Sequence, residues 1–443
     1  MNFSQLKSSV FFKIFVIAIL ILMLLIPTTM VKQLIYERER IQKNAINEVS
    51  AKWGNGQTLT GPFLSIPYDK FIKQYSAKDS TEKIIKLKEW INFLPEDLII
   101  NGNISPEKRY RGIHEVVVYE SSLNMKGKFN AFDISKFDIA AKNIHFDQAR
   151  LNLGITDLKG IEKQVTLKWN ADNISFDSGT SNNNVIGSGI NAKTPTSYQD
   201  SSNYAFDLNL DLKGSQNLYF IPMGKTTDVN LSSDWTTPSF TGTFLPDERA
   251  VDAKGFNAHW NILHLNRNYP QSWLNGQHHV KQSAFGTDLL LPVDNYKKSY
   301  RVARYAILFI VLTFLVFFFV EILNGVYIHP IQYLLVGMAL VIFYSLLLSF
   351  SEHIKFNYAY FVSAVLTLGL ITAYIMAILK SKQIAGMMFG ILLILYTFIF
   401  TIIQLEDYAL LIGSLGVFLI LCIVMYFSRK IDWYNIRLGN PRP

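Results

Sequence analysis

The chain has 443 residues, 50% hydrophobic and only 17% charged, where a soluble chain of this length carries about 25% charged residues. Of its 42 Lys and Arg and 34 Asp and Glu, 33 bases and 29 acids lie between Lys32 and Arg304. Well mixed and without a basic stripe, they exclude a nucleic-acid footprint. The single cysteine, Cys422, excludes an intrachain disulfide and a Cys-based metal site.

A membrane-crossing helix needs about 20 mostly apolar residues, because hydrocarbon satisfies no loose backbone group. The first such run, Val10 to Val31, is interrupted only by Lys13 near its start. Its rival reading is a cleaved signal peptide, but Pro27-Thr28-Thr29-Met30 offers no A-x-A-like cleavage site; we read a retained span. Beyond it, Leu34, Ile41, Ala45 and Val49 recur near helical period among charges, so the helix is expected to continue until Gly54 and Gly56 stop it.

The text then changes to short alternating stretches, such as Val116-Val117-Val118-Tyr119, Val165 to Trp169 and Ala205 to Leu212. These predict an antiparallel, sandwich-like β domain. Ser178 to Asn203, rich in Asn, Ser and Gly, is expected to be a flexible loop. The run Leu158-Lys159-Gly160, Val165-x-Leu167-x-Trp169 is echoed by Leu212-Lys213-Gly214, Val229-x-Leu231, Trp235. An internal duplication and chance in an all-β text both produce such an echo.

Five further apolar runs follow: Tyr305–Leu323, Pro330–Phe350, Tyr358–Leu379, Ile384–Ile403 and Tyr408–Phe427. The first holds thirteen Ile, Leu, Phe or Val residues between Ile307 and Val320, contributing roughly −5 kcal/mol towards insertion. With the N-terminus inside, the short cytoplasmic segments collect Lys7, Lys380, Lys382, Arg429, Lys430, Arg437 and Arg442. The short outer loops then hold Lys355 beside Glu352, Glu406 and Asp407. The positive-inside rule therefore favours two cytoplasmic termini. The expected organisation is a cytoplasmic N-terminus and first span (1–31), a periplasmic β-rich domain (32–304), a five-helix bundle (305–427) and a cytoplasmic tail (428–443).

Chemical motifs are sparse. His259 and His264 lie five apart, on opposite faces of a strand, and no H-E-x-x-H, G-x-S-x-G, Walker or dinucleotide pattern is present. Asp247-Glu248-Arg249 reads as a charged turn. No charged residue lies near a span centre, which argues against ion-coupled transport. Glu321 is expected at the interface, solvated by water. Tyr344, Tyr374, Tyr396 and Thr313 are expected to pack between helices, Gly413-x-x-Gly416 to mark a close helix approach, and Cys422 to be a small buried hydrophobe.

Longer motifs carry a resemblance. They are Trp53-Gly54-x-x-Gln57-Thr58-Leu59-x-Gly61-Pro62, Pro106-Glu107-x-Arg109-Tyr110-Arg111-Gly112-Ile113, Pro222-Met223-Gly224, Phe244-Leu245-Pro246, Trp260-Asn261 and Arg267-Asn268-Tyr269-Pro270. With Glu37-Arg38, Ile66-Pro67-Tyr68 and Pro292-Val293-Asp294-x-Tyr296, they make the chain similar to the CreD family of bacterial inner-membrane proteins. The resemblance implies an inner-membrane location and a role in cell-envelope integrity, tolerance to E colicins and the β-lactam response. It supplies no catalytic residue and no cofactor.

Three classes of function remain: a non-enzymatic envelope-integrity protein, a transporter or lipid-handling protein, and a cryptic envelope enzyme. A cavity reaching the bilayer midplane would favour the second, and a pocket joining Asp247, Glu248 and His259 the third. The expected partners are membrane lipids and periplasmic envelope components or proteins, with no nucleic acid. Trp53, Gly54, Gln57, Gly61, Pro62, Arg109, Arg111, Trp260 and Arg267 are the candidate interaction residues. The loop Trp53–Pro62 reads as a structural corner or a binding loop. In the corner reading, Gly54→Val lowers abundance and Gln57→Ala does not.

Overall fold

The computed structural model describes residues 10–76, 81–197, 203–289, 295–405, 408–429 and 431. The chain divides into two compact units, Met1–Gln42 with Val293–Pro443, and Lys43–Pro292. Helix α1, Val10–Trp53, is continuous from one into the other. It runs through its apolar stretch and then through the charged stretch ending at Lys52, as the periodicity predicts.

Lys43–Pro292 is built on two β-sheets. The nine-stranded sheet runs Pro238–Gly242, Phe285–Leu289, Asn217–Ile221, Gln57–Ser76, Arg150–Ile155, Gly189–Lys193, Asp177–Ser178; Thr81–Phe93 also pairs with Gln57–Ser76 and carries Ser272–Leu274. The eight-stranded sheet runs Glu248–Asp252, Gly255–Leu263, Thr226–Ser233, Asp97–Arg111, His114–Phe129, Tyr204–Ser215, Thr166–Trp169, Asp172–Ser175. Both sheets contribute to one core, with Phe63, Leu64 and Phe285 from the first and Leu98, Met125 and Trp260 from the second. Fully burying each such side chain contributes roughly 1.5–3 kcal/mol.

The strand text explains the faces. In Tyr204–Ser215 the residues Tyr204, Phe206, Leu208, Leu210 and Leu212 are buried, while Asp207, Asn209 and Asp211 take the opposite face. The hairpin Asp97–Arg111/His114–Phe129 pairs Arg111 with His114 across Gly112-Ile113. Gly112, at φ 62°, supplies the positive φ that a two-residue loop with Gly first requires.

Two expectations are corrected. The stretch Ser178–Asn203 contains the strand Gly189–Lys193, paired with Arg150–Gly154. Its Ile190 and Ala192 are buried, and Asn182, also buried, donates to Asn92 Oδ1 at 2.9 Å; buried amides and two apolar residues outweigh the turn-rich composition. Asp247-Glu248-Arg249 is not a turn either, for Glu248 and Arg249 begin an edge strand opposite His259 and Ala258.

Among the described residues, the unit of Met1–Gln42 and Val293–Pro443 holds six helices long and apolar enough to cross a membrane: the apolar part of α1, then α3 (Ala306–Asn324), α4 (Pro330–Ser351), α5 (Phe356–Leu379), α6 (Lys382–Gln404) and α7 (Ala409–Ser428). A short helix α2, Asn295–Arg304, precedes them. Phe309, Phe343, Tyr344, Tyr360 and Tyr396 form an aromatic centre, with Phe309–Tyr396 ring centroids 4.7 Å apart and Tyr360 Oη donating to the Tyr396 carbonyl at 2.8 Å. Tyr344 and Tyr396 thus pack between helices, as expected. A Cβ on Gly416 would strike the Phe398 ring, which makes Gly416 the close approach of α7 to α6. Helix α7 has no buried residue, so Cys422 is exposed rather than a buried hydrophobe.

Candidate functional site

Five of the nine sequence candidates meet where α1 ends. Trp53 donates from Nε1 to the Tyr119 carbonyl at 3.2 Å. The Arg109 guanidinium and Lys213 ammonium lie 3.8 and 4.4 Å from its ring centroids, a cation–π arrangement. Gly54 closes the helix through its N–H on the Ser50 carbonyl at 2.8 Å; at φ 154°, a Cβ there would meet the Lys213 carbonyl oxygen at 2.8 Å. Gln57 has no exposed surface. Its Nε2 donates to the Asp157 and Lys213 carbonyls at 2.9 and 3.1 Å, and its Oε1 accepts from the Asp157 N–H at 3.1 Å. Arg111 pairs with Glu48 of α1 at 3.0 Å, and Lys52 with the same carboxylate at 2.8 Å. Lys52 and Arg111 together hold that carboxyl below the usual range.

Gly61 and Pro62 follow along the same strand. The pairing of Gln57–Ser76 with Arg150–Ile155 shifts register between Thr60 and Phe63, where Pro62 lacks an N–H for the ladder and a bulge accommodates it. Trp260 and Arg267 lie elsewhere. Trp260 is wholly buried against Phe240 and Phe285, with centroids at 5.8 and 5.7 Å. Arg267 donates to the Tyr269 carbonyl at 2.5 Å, the Gly224 carbonyl at 3.3 Å and Gln271 Oε1, and burial pushes its guanidinium down to about 10. Gln57, Trp260 and Arg267 are consumed inside the fold, which corrects their selection as contact residues: the same motifs that make the chain recognisable are packing devices here.

The accessible feature lies on the outer face of the eight-stranded sheet. A groove of about 750 Å³ is lined by Asn101, Asn103, Asn230, Ser232 and Asn257 and, towards the edge of the sheet, by Glu248, Arg249 and His259. The register aligns Asn101, Asn230, His259 and Glu248 across four strands. Neighbours bond sideways: Asn230 Nδ2 donates to Asn101 Oδ1 at 3.1 Å, Ser232 Oγ to Asn103 Oδ1 at 3.1 Å, and Asn124 Nδ2 to Asn209 Oδ1 at 2.8 Å. Sequence reading missed this face. The signal was available, because the polar positions of successive strands are Asn, Ser, Asp and His: Asn101 and Asn103, then Asp228, Asn230 and Ser232, then Asn257, His259 and Asn261.

The three candidate catalytic groups do not converge. Glu248 and His259 line the groove, but the Asp247 carboxylate accepts the Asn261 N–H at 2.7 Å and His259 faces Asp228 at 3.2 Å. Among the described residues, no group of three His, Cys, Asp or Glu could hold a metal.

A second site lies within the membrane unit. Lys13, in the first turns of α1, donates to Glu321 Oε1 at 2.8 Å and to the Ile328 carbonyl. Glu321 also accepts from Tyr333 Oη at 2.9 Å and from the Ile328 N–H at 3.3 Å. Lys13 lies over the Tyr327 and Tyr333 rings at 4.6 and 5.3 Å. Lys13 is 5% exposed and Glu321 0%, so the expected water-solvated Glu321 is corrected: protein groups replace water around it. Charge spacing alone could not join residues 308 positions apart. The ion pair ties the start of α1 to the end of α3 and to the segment before α4.

Comparison with known proteins places these features. The family model described as inner membrane protein CreD matches residues 9–434. Inner membrane protein CreD of Escherichia coli (strain K12) is 31% identical over 437 residues, covering 98% of this chain and 96% of that one. A solved two-domain M1 zinc metallopeptidase bound to L-arginine covers 48% of this chain and 53% of its own, with 8% identity and a TM-score of 0.20, a likeness that carries no argument. A match across nearly the whole chain, over six apolar helices and a two-sheet unit, establishes that the chain belongs to the CreD family of inner membrane proteins.

Proposed function

We propose that this chain is a non-enzymatic inner-membrane protein that supports cell-envelope integrity, with its β unit as a periplasmic contact module. Both termini lie in the cytoplasm in this reading, supported by Lys380 and Lys382 on a short connection and Arg429 after the last helix on one side, against Lys355 beside Glu352 on the other. The observation that carries the contact role is the amide-lined groove. Side-chain amides and hydroxyls supply donors and acceptors together, so an array of them, beside the opposite charges of Glu248 and Arg249, suits a hydrogen-bonding partner of little net charge such as a glycan strand or a peptide. Of Asp247, Glu248 and His259 only the last two line the groove, the Asp247 carboxylate being held by the Asn261 N–H, which supports the non-enzymatic reading.

The test is complementation in a strain lacking its own copy. The variant Asn103→Arg/Asn257→Arg, on an exposed face, is expected to accumulate normally and to fail in restoring β-lactam and E-colicin tolerance. Glu248→Gln, which keeps the shape and hydrogen bonding, should restore both. Full function in the double Arg variant refutes the contact role; loss with Glu248→Gln alone refutes the non-enzymatic one. The lipid-handling reading gains one specific observation, a cleft in the membrane unit that reaches the middle of α3.

A further inference from the structure

Helix α7 leaves a cleft of about 1050 Å³ between itself, α3 and α6. Its walls are apolar side chains such as Leu315, Phe319, Ile391, Leu395, Leu419 and Ile423. Along α3 the lining runs from Leu312 to Asn324 and along α6 from Gln383 to Phe398, lengths of about 18 and 22 Å at the helical rise. The hydrocarbon of one leaflet is about 15 Å deep. Along α7 the lining runs from Ile412 to Phe427, so the cleft opens at one surface and reaches past mid-membrane.

That surface is the side where α1 begins, because the Lys13–Glu321 pair fixes the end of α3 there. At this end the apolar lining gives way to Asn324 and Gln383. Lys380 and Lys382 flank the start of α6, and Arg429 caps α7. All three cations are exposed, and among the described residues none is paired with a carboxylate. An apolar slot that opens beneath exposed cations matches an amphiphile with apolar tails and an anionic head.

We propose that the cleft between α3, α6 and α7 binds one anionic phospholipid from the leaflet on the N-terminal side, its tails along α7 and its phosphate near Lys382 and Arg429. This rests on the membrane unit alone and is independent of the envelope role. The test uses the full chain, reconstituted in vesicles of equimolar dioleoylphosphatidylglycerol and dioleoylphosphatidylethanolamine and analysed by native mass spectrometry. One phosphatidylglycerol per chain is expected to survive activation that strips other lipid. Lys382→Gln and Arg429→Gln should each lower its retention roughly fivefold, the loss of one cation's attraction, without changing phosphatidylethanolamine. Leu419→Trp, which fills the cleft, should abolish retention, whereas Leu366→Trp on the exposed face of α5 should not. Should Leu419→Trp fail to fold, the two Gln variants, at the water surface, decide alone. Equal retention of both lipids in every variant means an exchangeable lipid annulus and overturns the proposal. So does a dimer of chains that Leu419→Trp disrupts, which would make the cleft a helix-docking site.

Discussion

Replacing Lys13 with Met keeps an unbranched side chain one atom shorter and removes the ammonium from a carboxylate with no exposed surface. Glu321 would retain Tyr333 Oη and the Ile328 N–H, two neutral donors facing a full buried charge. Breaking a buried pair by deleting one partner costs about 3–5 kcal/mol, whereas replacing both with apolar groups of similar volume is close to neutral. Lys13→Met and Glu321→Leu should therefore each cost about 3–5 kcal/mol, and the double variant much less than either. The resulting coupling energy is of the order of the single losses. Tyr333→Phe, which removes one hydrogen bond to a charged group, should cost about 1.5–3 kcal/mol. The assay is equilibrium unfolding of the full chain in mixed micelles, with the four corners of the cycle measured together. Single losses below about 1 kcal/mol, the worth of an exposed pair, would refute the claim that protein rather than water surrounds Glu321.

Other outcomes follow from the same geometry. Gly54→Val should lower abundance because its Cβ would meet the Lys213 carbonyl; Gln57→Ala should do so too, contrary to the sequence expectation, since it strands the Asp157 N–H and two carbonyls. Western blotting of membrane fractions checks both. Lys86, with His145, holds the Asp69 carboxyl below its usual range despite partial burial. A carboxylate with a lowered folded value contributes stability above the ordinary carboxylate range and loses it as pH falls through the folded value, so Asp69→Asn should flatten the acid limb of a stability–pH profile. In sealed liposomes under an imposed gradient the protein should pass no proton or sodium above empty vesicles, because Glu321, the one carboxylate buried among the spans in the described residues, is already paired with Lys13; flux abolished by Glu321→Gln would overturn that. Periplasm-active reporter fusions near Phe137 and Lys355 should be active, and near Lys382 inactive; activity at Lys382 inverts the orientation.

Local patterns were legible wherever one physical period dominated. Hydrocarbon demands a long apolar run, so six spans stand out. Alternation in Ala205–Leu212 announced a half-buried strand, and Gly54 a helix end. Long-range pairings were not legible. Nothing local in Ile14–Ile26 or Ile307–Val320 says that Lys13 meets Glu321, and a lone charge near a span end reads as solvated until its partner is seen. Turn-rich Ser178–Asn203 hid a strand because Asn182 is satisfied by Asn92, far away in sequence. Arg267 and Trp260 stood out as candidate contacts because they lie in the motifs that carry the resemblance, yet backbone carbonyls and aromatic rings from distant segments enclose them. The amide face needed the register of several strands before separate Asn residues became one surface.

The contact role of the β unit is tested most directly by site-specific photocrosslinking in living cells, with a photoreactive residue at Asn103 or Asn257 in the groove and at Ile113 on the distant hairpin turn as control. The account predicts discrete adducts to envelope material from the two groove positions and none from Ile113, with the groove adducts lost in the Asn230→Arg background. Equal labelling from all three positions, or none from the groove while the protein still restores tolerance, would contradict it.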